Sequence, residues 1–159
     1  MTVRRVDQLL AGFADGDAIS QEARLIRRIF REMGLESEIY APSRNISPTM
    51  TGQCRPADEF AAAYRDVTLF HYSTASSVTE LFLQAPARKV VRYHNITPPE
   101  FFKGFDDEVS LQLQEARYQL PAVLAGADKV CADSRYNAEE LKKAGRREVS
   151  VVPLLFSFE

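Results

Sequence analysis

The chain lacks most of the features that mark secreted, metal-bound or membrane-embedded proteins. Its two cysteines, Cys54 and Cys131, lie far apart with no CxxC pair, so no disulfide framework is expected and two reduced thiols in a cytoplasmic protein are the simplest reading. Two histidines and no HExxH leave no zinc-binding signature, and no metal is expected. No apolar run approaches the ~20 residues needed to span a bilayer, and no secretory leader reads at the start. Basic charge is not in surplus: 20 Lys and Arg face 22 Asp and Glu, against the clustered excess that phosphate backbones demand, so no nucleic acid is expected. Neither GxGxxG nor GxxxxGK[ST] occurs, which argues against dinucleotide and P-loop chemistry, and no cofactor is expected.

What is present fits one ordinary domain. A chain of 159 residues is long enough to bury about two-thirds of the surface it exposes when unfolded. With 45% hydrophobic and 26% charged residues, disorder, coiled coil and collagen are all excluded. Short β-type runs alternate with amphipathic helical ones, the pattern of parallel βαβ units. Strands are expected near residues 3–10, 37–41, 67–72, 89–94, 129–133 and 149–153. Helices are expected near 19–33, 57–64, 75–84, 106–126 and 135–144. In the first helix Ile19, Ala23, Ile26, Phe30 and Met33 form one apolar stripe, and Gly34 follows as a C′ glycine should. Residues 42–56, rich in Pro, Ser, Thr and Gly, read as a long loop. Pro121 should kink or break the helix it interrupts. Six strands with helical crossovers make a doubly wound, mostly parallel α/β sheet, Rossmann-like in three αβα layers.

In such sheets ligands bind beyond the carboxyl ends of the strands, where the strand order reverses. That rule selects the loop AGFADGD, His71 and Tyr72, His94 and Asn95, and Ser134 with Arg135. Gly12 and Gly16 flank a strand-to-helix turn where a substrate could approach the backbone, although Asp15 and Asp17 would repel an anion. Asp17 also reads as the N-cap of the following helix. His94 is followed by loop formers (Asn95, Pro98, Pro99) and so should leave the sheet at the cleft, whereas His71 is read as structural. Arg24, Arg27, Arg28 and Arg31 form an arc opposite the apolar stripe. It is a solvated face by default, with contact to an anionic membrane or acidic acceptor as the functional alternative.

Three stretches, DGDAISQEARLIRRIFREMGLESEIYA, RYHNITPPEFF, and ADSRYNAEELKKAG followed by VSVVP, give the chain a family resemblance along nearly its whole length. It resembles the amino-terminal half of GT-B retaining glycosyltransferases, the large group that includes bacterial mannosyltransferases and polysaccharide glycosyltransferases. The resemblance implies an acceptor-side domain over residues 1–159, facing a nucleotide-sugar-binding domain that lies outside this chain. The implied parent transfers a sugar, with mannose a candidate, from a nucleotide-sugar donor to a glycan or lipid-linked acceptor at the cytoplasmic side of a membrane. His94 then matches the histidine that positions the donor sugar, Gly16 and Asp17 the first loop, Asn95 the turn beyond the histidine, and Ser134 and Arg135 the helix start at the cleft. Two departures stand out: Asp15, Gly16 and Asp17 replace paired glycines, and Leu154 and Leu155 follow Pro153 where Asn and Gly are common. The chain alone is expected to be inactive. The competing expectation is a stand-alone Rossmann-like binding module without catalysis.

Overall fold

β-Branched and aromatic runs in this sequence pair into a sheet, while the amphipathic runs between them become the helices that cover it. The computed structural model describes residues 3–156. Its strands are β1 (Val6–Leu10), β2 (Ile39–Ala41), β3 (Arg55–Pro56), β4 (Val67–Tyr72), β5 (Arg88–Tyr93), β6 (Lys129–Ala132) and β7 (Ser150–Val151). They form one sheet in the order β3-β2-β1-β4-β5-β6-β7, and every adjacent pair is parallel. The order reverses between β1 and β4, so the switch point lies there. The helices are α1 (Ala18–Glu32), α2 (Val78–Gln84), α3 (Asp107–Gly126) and α4 (Arg135–Lys143). The chain is thus a Rossmann-like α/β fold.

The two faces of the sheet differ in chemistry. One face presents Leu9, Phe70, Tyr72, Val91 and Tyr93 to Phe82 of α2, to Leu113, Leu120 and Val123 of α3, and to Leu141 of α4. Phe70 lies 4.9 Å from Phe82 and 5.2 Å from Tyr72 between ring centroids, within the range of favourable aromatic contact. On the other face Leu10, Phe13 and Ala41 pack with Ala23 of α1. That face also buries polar side chains, and the candidate site is built from them.

Local chemistry explains where the helices start. Asp17 caps α1 by accepting from the Ser20 amide at 2.8 Å and its hydroxyl at 2.6 Å. Ser134 caps α4 by accepting from the Asn137 amide at 3.1 Å. Three details depart from the sequence expectation. A seventh strand, β3, forms inside the segment read as loop; it is two residues long and sits at the sheet edge, where Pro56 is tolerated. The helix expected over 57–64 shrinks to a single 3₁₀ turn, Ala57–Glu59, because Phe60 turns extended to pack edge-on against Tyr40. Pro121 does not end α3, which runs through it to Gly126 with Leu120, Val123 and Leu124 buried against the sheet. Among the described residues no helix is long and apolar enough to cross a membrane.

Candidate functional site

Central strands of a sheet covered on both faces are normally apolar. Here Gln8 on β1, His71 on β4 and Arg92 on β5 are each buried to 2% exposure or less on the α1 face. Register explains the row: His71 stands opposite Arg92, and Gln8 opposite Leu69, two residues before His71 on the same side of the pleat. From α1, Glu22 reaches down fully buried. It sits three residues after Ile19 and four before Ile26, so helix geometry places it on the stripe that faces the sheet.

Glu22 and Arg92 form a two-pronged ion pair at 3.1 and 2.5 Å. Arg92 also donates to the carbonyls of Val152 and Pro153, at 2.6 and 3.0 Å, and the Leu155 amide donates to Glu22 at 2.9 Å. The segment that leaves β7 is thereby fastened across α1. A buried ion pair persists only when its remaining hydrogen-bonding capacity is filled, and these backbone groups fill it.

Beside this pair the two histidines meet. His71 Nδ1 and His94 Nε2 are 2.9 Å apart, and His71 Nε2 is 2.9 Å from Gln8 Oε1. The ring planes agree within 6° and the centroids are 5.2 Å apart, the geometry of two imidazoles meeting nitrogen to nitrogen, edge to edge in one plane. Burial, then the fields of His94 and Arg92, holds the His71 pKa far below its ordinary value. Burial and Arg92 push His94 down to about 3. Both rings are therefore neutral near pH 7.

Glu22, His71 and His94 bring one ligand atom each within 4.8 Å of one another, which makes them the candidate metal cluster. Their orientation does not suit a cation. The imidazole lone-pair directions run along one line toward each other instead of converging on a third point, and the guanidinium and the Leu155 amide occupy the Glu22 oxygens. The two histidines are hydrogen-bonded to each other, and Glu22 to Arg92 and the Leu155 amide. Neither thiol adds a nucleophile, because burial pushes Cys54 up to about 12 and raises Cys131 as well.

His94 follows β5, and its amide extends the ladder by donating to the Tyr72 carbonyl at 3.0 Å. Its side chain is 3% exposed. His94 Nδ1 has no hydrogen-bond partner among the described residues and lies 3.8 Å from Asp133 Oδ2. Asp133 Oδ1 accepts from the Asn137 amide side chain at 2.6 Å, which leaves Oδ2 toward the histidine. The chain turns sharply at Asn95, whose φ of 78° is the one left-handed non-glycine conformation among the described residues. Beyond it, the Tyr93 hydroxyl donates to Glu140 at 2.7 Å and accepts from the Ile96 amide at 3.2 Å, while Arg117 bridges Glu140 and the Ile96 carbonyl.

The residues selected from sequence fall into two groups. His94, Asn95, Ser134 and the exposed Arg135 stand at the carboxyl ends of β5 and β6. Gly16 and Asp17 belong to the turn before α1. Gly16 is exposed with φ 75°, and Asp17 lines a cleft of about 350 Å³ at the switch point with Gly12, Phe13, Asn45 and His71. No hydrogen bond joins Gly16 or Asp17 to His94 among the described residues; Glu22 is what links α1 to the histidine pair, 3.7 Å from His94 Nε2. The basic arc of α1 is partly engaged: Arg31 pairs with Glu38 at 2.7 Å, and Arg27 donates to the Gln53 carbonyl at 2.6 Å. No protein-family model matches the chain, and no curated protein matches it.

Gln8, Glu22, Arg92 and Asp133 were not among the site residues chosen from sequence. For the first three a signal was present. A glutamine and an arginine interrupt strands otherwise fit for burial, and a glutamate occupies an apolar-stripe position.

Proposed function

We propose that this chain is the acceptor-side domain of a retaining, GT-B glycosyltransferase, in which a second α/β domain holds the nucleotide-sugar donor. The observation that carries the reading is His94. Its ring is buried and fixed, it stands at the carboxyl edge of the sheet, and one nitrogen is left without a partner. Such a group suits positioning, since a preorganised contact holds a sugar hydroxyl at no reorganisation cost when the reaction occurs. Stabilisation of the leaving diphosphate falls to the donor-side domain, since Arg92, the cation whose field reaches His94, is engaged by Glu22. The acceptor is a glycan or a lipid-linked glycan, and the exposed arginines of α1 supply its peripheral contact with an anionic membrane surface at the cytoplasmic side.

Three experiments test this. The reading frame beyond codon 159 should continue into a second α/β domain, and a native stop codon there overturns the proposal. In the full-length protein, transfer from a nucleoside diphosphate sugar should fall on the order of 10²-fold in His94→Ala. Wild-type rate and donor affinity in that variant rule out the positioning role. Robust transfer by the 159-residue chain alone would contradict its place as half of an enzyme.

A further inference from the structure

We infer that Gln8 and His71 are positioning residues that lock His94 in the Nε2–H tautomer, making its buried Nδ1, at the carboxyl edge of the sheet, an obligate hydrogen-bond acceptor. The consequence for the site, which rests on the proposed function, is that any group that reaches this nitrogen must bring a proton. It is a hydroxyl or amine, not a bare phosphate or carboxylate oxygen.

The assignment follows from the donors and acceptors along one buried line. Gln8 Nε2 donates to the Ala23 carbonyl at 3.0 Å, so the amide is oriented and its Oε1 must face His71. An amide oxygen only accepts, so His71 Nε2 carries the proton of that neutral ring. Its Nδ1 is then a bare lone pair, and the 2.9 Å contact to His94 Nε2 is a hydrogen bond only if His94 donates. The proton on Nε2 leaves His94 Nδ1 bare, and this is the nitrogen that lacks a partner. Glu22 Oε2, 3.7 Å from His94 Nε2, further favours a proton on that side.

The opposite arrangement is worse at each step. A proton on His71 Nδ1 would set the bare Nε2 against Gln8 Oε1 at 2.9 Å, two lone pairs in contact. Turning the Gln8 amide to relieve this would set its oxygen against the Ala23 carbonyl instead. The one gain, His94 Nδ1–H toward Asp133, spans 3.8 Å, too long for a hydrogen bond. In the preferred state His94 Nδ1 and Asp133 Oδ2 are two acceptors 3.8 Å apart. A single hydroxyl can donate to one of them, whereas an oxyanion would meet two lone-pair donors and no proton.

The chain has two histidines, so four ring nitrogens report on the relay. Long-range ¹H–¹⁵N correlation on the labelled 159-residue chain near pH 7, with no sugar present, should show both rings with protonated-type Nε2 and bare-type Nδ1. In Gln8→Leu the lock is gone, and with Glu22 3.7 Å from His94 Nε2 and Asp133 3.8 Å from Nδ1 neither side holds the proton, so the ring nitrogens should move toward averaged values. A wild-type His94 protonated at Nδ1, averaged nitrogens in the wild type, or an unchanged tautomer in a folded Gln8→Leu overturns the inference. If Gln8→Leu does not fold, the wild-type spectrum alone still decides. Adding zinc ions should leave all four resonances in place, whereas a stoichiometric shift of His71 Nδ1 and His94 Nε2 would identify a metal site and overturn the relay. The outcome is separable from the transferase reading: an inactive full-length protein removes that reading without altering the tautomers, and the wrong tautomer removes the relay whatever the activity.

Discussion

Arg92 on the fifth strand grips Glu22 on the first helix with two nitrogens, at 3.1 and 2.5 Å, and both side chains are almost completely buried. The pair joins the sheet to α1 on its polar face and carries the segment leaving β7. It also stands beside the histidines, so its state sets the field in which they titrate.

Removing one partner strands the other. Arg92→Met should destabilise the fold by about 3–5 kcal/mol, because the Glu22 carboxylate is left buried without its counter-charge. The double variant Glu22→Leu, Arg92→Met should lie closer to the wild type than Arg92→Met does, since it removes both charges together. Urea unfolding of the wild type, both single variants and the double variant measures this. A loss below about 1 kcal/mol in Arg92→Met would show the pair to be solvated and the buried network wrong.

The histidines give the fold a pH dependence of known sign. Both have folded pKa values below the 6.5 of the free side chain, His94 at about 3 and His71 well below its ordinary value. Below pH 6.5 the unfolded chain therefore binds more protons than the folded one, and stability falls as pH falls. Their contribution is complete above pH ~6.5 and is lost as pH drops toward 3. Each neutral histidine adds a slope of about 1.4 kcal/mol per pH unit, or about 2.7 for both between pH 6 and 4. The test compares stability against pH for the wild type and for His71→Asn, His94→Asn, in which carboxylate titration is common to both. Parallel curves would mean that the rings are charged or solvated in the folded state.

Much of the fold was legible in the sequence because period decides it. The stripe from Ile19 to Met33 gave α1, Gly34 its end, and VTLFHY and KVVRYH two central strands. The two-residue β3 escaped notice because Arg55 and Pro56 carry no strand signal, and pairing with Tyr40 and Ala41 is what makes them one. The helix expected over 57–64 failed because local propensity there competes with the docking of Phe60 on Tyr40. At the site, His94 and its position after β5 were readable from HNITPP. The role of His71 was not, because the register that aligns it with Gln8, Glu22 and His94 is a tertiary fact, and those partners are up to 63 residues apart.

The turn that presents His94 depends on one hydroxyl. Tyr93 sends its side chain to the face opposite His94, where it bonds Glu140 and receives the Ile96 amide. The loop is thus tied to α3 and α4 through Arg117 and Glu140. Tyr93→Phe keeps the ring but leaves the buried Ile96 amide unpaired, which should cost about 1–3 kcal/mol. Asn95, left-handed at φ 78°, gives an independent handle: Asn95→Gly should be nearly neutral, while Asn95→Val should cost about 1–2 kcal/mol through its Cβ branches. Hydrogen exchange distinguishes the two effects. Tyr93→Phe should lower protection at Ile96 beyond the global loss, whereas Asn95→Gly should leave it at the wild-type level. Full protection of the Ile96 amide in Tyr93→Phe would mean that another group satisfies it and that the loop is not held from this side.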